Sequence, residues 1–319
     1  MIPIEKVQIP QGSAFDRERA TELIDLSIKA MDEYDDWNSK KNIKPDGDIE
    51  IGGKKYKRLC TFWSDQKRDQ PFGFIVERKV EGDKTEVFVV FRGTRSGTEW
   101  LHNLTPNREP FLDNRESSPN IQESQLIEVR TGFLNIYENR TENKESASSE
   151  SIKDAIIKTF SEISQESPNA DVFVTGHSLG AALATIAVRQ IRTLKEFQQP
   201  QLYTFASPRV GNTNFANSLR DLDHCYRVAN TADIVTAIPI PAGLIFNEKW
   251  LNELYFPVRQ AFRILRKFLD SWDKLSFFDP FANYQHVGES ICFTVQNVEP
   301  NGNPSIGENH NMLTYRKAL

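Results

Sequence analysis

Apolar residues along this chain fall into two alternating kinds of segment. Phe72–Lys79 ("FGFIVERK") and Thr85–Gly93 ("TEVFVVFRG") are short β-branched and aromatic runs separated by the turn-like "EGDK", which predicts a hairpin leading into a sheet. Between Phe15 and Trp37, in contrast, Ala20, Ile24, Leu26, Ile28 and Met31 mix with charges at roughly helical spacing, and "KPDGD" follows as a turn. This predicts an N-terminal helix.

Farther along, the polar stretch "TENKESASSESIKD" ends in Ser151 with Asp154 three residues on, a capping signature for a helix buried through Ile152, Ile156, Phe160 and Ile163. The strand "DVFVTG" comes next, then a helix from Ala181 to about Lys195, the strand "LYTFA", a helical stretch from Phe215 to Leu222 and the strand "CYRVAN". Such alternation predicts an α/β fold: a mostly parallel central sheet with helices on both faces, formed by residues 1–319 as a single domain.

One junction in this pattern carries candidate chemistry. In "DVFVTGHSLGAALATIA" (Asp171–Ala187) the strand gives way to the helix at Ser178, flanked by Gly176 and Gly180. A Gly-x-Ser-x-Gly string alone is weak evidence, but a sharp strand-to-helix turn is the setting in which such a serine acts as a nucleophile. The turn would lift the hydroxyl above the sheet edge and aim the Leu179 N–H, at a helix N-terminus, toward developing negative charge. The alternative is a serine that merely caps the helix.

Composition narrows the remaining classes. The 319 residues carry a net charge of −5, which offers no electrostatic footprint for nucleic acid. Cys60, Cys225 and Cys292 lack CxxC or Cys/His spacing, so buried free thiols are expected rather than a disulfide framework or a zinc site. The first residues contain no apolar leader, and the run "IVTAIPIPAGLIF" is short and broken by prolines. A cytoplasmic chain that does not span a membrane is the expectation.

Several motifs in order resemble the class 3 lipases of the α/β-hydrolase superfamily: "VFVVFRGTRSGTEW" (Val87–Trp100), "VRTGFLNIY" (Val129–Tyr137), "VTGHSLGAALA" (Val174–Ala184), "LYTFASPRVGNTNF" (Leu202–Phe215) and "YRVANTADIVTAIP" (Tyr226–Pro239). With "YQHVGE" and "HNMLTY", the likeness runs from about residue 70 to the end. Ala181 and Ala206 stand where that family usually has glycine, and Asn103 where aspartate is common.

The resemblance implies an α/β-hydrolase fold and a serine esterase acting on acyl lipids, in the manner of a triacylglycerol lipase, phospholipase A1 or galactolipase. No metal or organic cofactor is expected. A lipase-like protein kept as a catalytically silent binding or signalling module is the alternative. In the superfamily the acid and then the histidine follow the serine along the chain. Asp233, just beyond "CYRVAN", matches the acid. Two of the five histidines, His286 and His310, follow it; the family's catalytic histidine has the loop-before-helix setting of His310. His286 is expected to be structural. Thr94, after the strand in "FRGT", can present its backbone N–H beside that of Leu179, and the resemblance adds its hydroxyl; Arg92 is expected to bond carbonyls at the sheet edge.

The segment where a lid usually follows in the family is here polar and turn-rich. Instead, residues 242–285 form an aromatic-rich insertion in which Val258, Phe262, Leu265, Leu269 and Trp272 repeat at helical spacing opposite Arg259, Arg263, Arg266, Lys267 and Lys274. It is a candidate lid or interfacial helix, from which peripheral contact with a lipid surface is expected; a helix simply packed on the domain, which shows the same stripe, is the equal alternative.

Overall fold

A computed structural model of the chain describes residues 6–39, 44–65, 69–94, 108–111, 125–138, 150–194, 199–238, 283–299 and 305–319. The proposed lid or interfacial helix at 242–285 lies outside them except for its last three residues, as does Asn103.

In chain order the strands are β1 (Ile49–Ile51), β2 (Lys54–Asp65), β3 (Asp69–Lys79), β4 (Thr85–Phe91), β5 (Arg108–Pro110), β6 (Glu128–Arg130), β7 (Asp171–His177), β8 (Gln201–Phe205), β9 (Gly211–Asn212), β10 (Cys225–Asn230), β11 (Tyr284–Gln285) and β12 (Glu289–Phe293). The helices are α1 (Arg17–Asn38), α2 (Thr131–Tyr137), α3 (Ile152–Glu166), α4 (Leu179–Ile191), α5 (Thr213–Asn217), α6 (Ile306–Asn309) and α7 (Met312–Ala318).

Eight strands form the main sheet in the order β1-β2-β3-β4-β7-β8-β10-β12. From β4 onward every pairing is parallel, while β1 to β4 pair antiparallel. The predicted hairpin is β3 and β4. The fold is that of an α/β-hydrolase.

Both faces of this sheet are covered, so its central strands read as unbroken apolar runs rather than alternating ones. Along β4, Val87, Val89 and Phe91 enter a core with Ile156 and Phe160 of α3 and Leu183 and Ile186 of α4. Phe88 and Val90 enter the opposite core with Leu23 and Ile24 of α1 and Tyr315 of α7. The two caps that open the flanking helices are local: Asp16 accepts from Arg19 N–H at 3.0 Å, and Ser151 accepts from Asp154 N–H at 3.0 Å.

Helix α4 lies so close to the sheet that two glycines are obligatory. A Cβ on Gly176 would meet the Gly180 carbonyl oxygen at 2.3 Å, and one on Gly180 would meet the Arg92 and Phe91 oxygens at 2.4 and 2.6 Å. These obstacles are backbone atoms at the end of β4, of Arg92 just after it and of the turn itself, which cannot rotate away. Gly180→Ala is therefore expected to destabilise the protein by about 3 kcal/mol, the upper range for overpacking a core; urea unfolding measures it, and a loss below about 0.5 kcal/mol would contradict the close approach.

Candidate active site

The turn between β7 and α4 is built around an uncommon backbone conformation. Ser178 has φ 58° and ψ −122°, a region that side-chain-bearing residues rarely occupy and that costs on the order of 1–3 kcal/mol. Its N–H is tied to the Phe205 carbonyl of the neighbouring strand at 2.9 Å. The hydroxyl caps nothing in α4. It points instead at His310 Nε2, 2.7 Å away, which disposes of the helix-capping alternative.

His310 stands at the end of α6, and its second nitrogen, Nδ1, is 2.7 Å from Asp233 Oδ2. A carboxylate only accepts, so Nδ1 carries the proton and Nε2 is left to accept from the serine hydroxyl. Asp233 opens a short 3-10 turn, Ile234–Ala237, beyond the C-terminal end of β10; its Oδ1 accepts from Val235 N–H at 2.9 Å and its Oδ2 from the Tyr315 hydroxyl at 2.6 Å. Ser178, His310 and Asp233 are all buried. The chain of hydrogen bonds thus runs from Asp233 through His310 to Ser178 in a site largely shielded from water.

Two candidate donors lie close to the same serine along the chain or across the turn. Leu179 begins α4, so no carbonyl one turn back along the helix takes its N–H. The "FRGT" segment runs beside the elbow: a Cβ on Gly93 would come within 3.0 Å of the His177 oxygen and 3.5 Å of Ser178 Cβ. Next to it, the Thr94 hydroxyl is buried and has no partner among the described residues. Arg92 bonds the Pro71 carbonyl at 2.6 Å, the Gly93 carbonyl at 2.7 Å and Gln70 Oε1 at 3.0 Å, and lies over the Tyr34 ring. Burial lowers its pKa to about 10, which leaves it charged at neutral pH while it fastens this loop to the sheet.

The other histidines play different parts. His286 does not meet the serine; burial, with the charges of Arg227 and Arg209, lowers its pKa to about 2, so it remains neutral. His177 precedes the serine, with its ring 4.8 Å from that of His310. Burial, reinforced by His310, holds its pKa well below the ordinary value, so it places no positive charge beside the His310 ring.

Tyr315 and Asn230 escaped sequence reasoning. Tyr315 was legible only as an apolar position of the last helix; nothing local shows that its hydroxyl reaches an aspartate 82 positions earlier. Ala206, where the family resemblance leads one to expect glycine, adopts φ 54° in a fully buried position, so its backbone keeps the conformation glycine takes freely. Among the described residues there is no cluster of His, Cys, Asp and Glu that could hold a metal, and no helix long and apolar enough to cross a membrane.

Residues 88–242 match the family described as lipase (class 3). The secreted mono- and diacylglycerol lipase A of Penicillium cyclopium is 30% identical over 178 residues, covering 56% of this chain and 50% of that protein. Phospholipase A1-Ialpha2 of Arabidopsis thaliana, a chloroplastic protein, is 28% identical over 299 residues, covering 86% of this chain and 53% of its own. The chain thus spans about half the length of these relatives. The crystal structure of the mono- and diacylglycerol lipase from Aspergillus oryzae superposes with a TM-score of 0.51 at 22% identity, over 72% of this chain and 76% of that one, a likeness of fold.

These relatives correct one expectation. They are secreted or chloroplastic, and a cytoplasmic location is not supported. The lack of an apolar stretch in the first residues does not fix a location, because an address is read from targeting segments and not from the folded domain.

Proposed function

We propose that this chain, whose residues 88–242 match the class 3 lipase family, hydrolyses carboxylic ester bonds of acyl lipids through an acyl-enzyme on Ser178. The observation that carries the reading is the unbroken Asp233–His310–Ser178 hydrogen-bond chain at a strained strand-to-helix turn. Ser178 Oγ attacks the ester carbonyl while His310 Nε2 takes its proton; Asp233 orients the ring and stabilises the imidazolium. The carbonyl oxygen, now negative, is met by the Leu179 N–H and by Thr94, whose buried hydroxyl, without a partner among the described residues, is a donor waiting for an acceptor.

Collapse of the tetrahedral adduct breaks the ester C–O bond, and His310 returns the proton to the departing alcohol. Water then repeats the sequence: it loses a proton to His310, attacks the acyl carbon, and Ser178 leaves with that proton as the fatty acid departs.

The lipid aggregate is the partner, met at a peripheral surface. Supporting this, Leu313, three residues after His310, and Val298 are large hydrophobic side chains left more than half exposed. Val298 adjoins Asn297, whose N–H bonds Asn309 Oδ1 at 2.6 Å, so both apolar groups flank the histidine loop. Di- and monoacylglycerol, phosphatidylcholine and galactolipid, each presented as mixed micelles, form the test panel. Fatty acid release from at least one class is expected, together with fluorophosphonate labelling that disappears in Ser178→Ala. A folded protein that neither labels nor releases fatty acid would be a silent lipid-binding module instead.

A further inference from the structure

Asp233 Oδ2 accepts two hydrogen bonds, one from His310 Nδ1 at 2.7 Å and one from the Tyr315 hydroxyl at 2.6 Å. The phenol is tightly held. Asn230 N–H donates to its oxygen at 3.2 Å, and its ring packs edge-on against Phe293 at 5.0 Å and His177 at 5.6 Å between centroids. A hydroxyl that receives a hydrogen bond is a better donor, so the Asn230 N–H strengthens what Tyr315 gives to Asp233.

Asn230 joins this arrangement to the histidine loop from the other side. Its Nδ2 donates to the carbonyls of Val295 at 2.9 Å and Asn309 at 3.0 Å, and its Oδ1 accepts from Val295 N–H at 3.0 Å and Ala232 N–H at 3.2 Å. One residue at the end of β10 therefore fixes both the peptide before His310 and the phenol that shares its aspartate.

We propose that Tyr315 is a positioning residue that tunes the base: by sharing Asp233 Oδ2 with His310 it draws charge from that oxygen and keeps the imidazolium from being overstabilised. The proposal rests on the hydrolase reading above. Among the described residues, the groups facing this centre are Ser178 and His177 from the elbow, Arg227 from β10, Asp233 from the turn after it and Tyr315 from α7. His177 is neutral, and burial together with Asp233 keeps the phenol protonated, so Tyr315 acts as a donor throughout the working range.

The sign follows from the shared oxygen. Without the phenolic donor, the negative charge on Oδ2 concentrates toward His310 Nδ1–H and favours the protonated ring. Higher pH is then needed to free Nε2 for catalysis. In the full chain, Tyr315→Phe is expected to move the acid limb of kcat/KM for a soluble short-chain ester upward by about half a pH unit, with KM little changed. Placing 3-fluorotyrosine at position 315 keeps the ring and makes the phenol a stronger donor, and should move the limb downward.

Opposite displacements in the two variants are the expected result, and a merely structural tyrosine does not produce them. A limb that stays in place, or moves the same way in both, overturns the proposal whatever happens to the plateau rate. Should Tyr315→Phe fail to fold, the fluorotyrosine protein alone decides, by whether its limb moves down. Fluorophosphonate labelling is followed alongside: wild-type protein that does not label at Ser178 overturns the hydrolase reading and this proposal with it. Labelling with an unmoved limb overturns the role of Tyr315 only.

Discussion

Ser178→Ala is expected to lower kcat on any ester substrate by about 10⁶-fold, since in the proposed mechanism serine, histidine and aspartate act as one unit and loss of the nucleophile forfeits the whole. The protein should remain folded. The Ser178 side chain contributes nothing to capping α4, and its N–H bond to Phe205 belongs to the backbone, so alanine keeps the local architecture. Ser178→Gly should be equally inactive yet more stable by about 1 kcal/mol, because glycine occupies φ 58° without the strain that a Cβ imposes there. Initial rates and urea unfolding on the same samples check both halves. An alanine variant that keeps more than a hundredth of the activity would show that the nucleophile lies elsewhere.

Asp233→Asn carries the second large effect, a fall in kcat of about 10⁴-fold. The reason is in the hydrogen bonds. Oδ1 accepts from Val235 N–H, and Oδ2 accepts from His310 and Tyr315. An asparagine that keeps its oxygen toward Val235 turns its NH₂ toward His310. It then donates to Nδ1, the ring proton moves to Nε2, and the face toward Ser178 becomes a donor that cannot take the serine proton. The flipped amide restores the acceptor toward His310 only by setting NH₂ against the Val235 N–H. Activity within tenfold of wild type would contradict this account of Asp233.

How much could be read in advance varied with the range of the interaction involved. The strand "CYRVAN" coincides with β10, and "DVFVTG" with all but the last residue of β7, because buried central strands are short apolar runs with polar borders. The helix foreseen from Ala181 to about Lys195 spans Leu179–Ile191, beginning earlier because the tight elbow lets Leu179 enter the helix directly. Strands β1 and β2 were missed. β2 opens with Lys54, Lys55, Lys57 and Arg58, whose charges mask its apolar positions, and its conformation is secured by pairing with β3 through two register shifts.

The site divides in the same way. Ser178, Leu179 and the two glycines lie within five consecutive residues, and their chemistry follows from a strand meeting a helix, a local event that composition and order reveal. His310 was chosen over His286 by likeness to a family and not by any rule of spacing, for it lies 132 positions from the serine it touches. Nothing in the sequence marked the hydroxyl of Tyr315 or the side chain of Asn230 as part of the site.

By itself, then, the sequence determined the order and kind of most elements, the strained turn and the residue types able to cleave an ester, because these depend on backbone preference and on near neighbours along the chain. Tertiary structure alone decided which histidine meets the serine, which oxygen of Asp233 serves two donors, and how closely α4 may approach β4. Those depend on distances between segments remote in sequence, set where a parallel sheet packed on both faces brings the ends of its strands together.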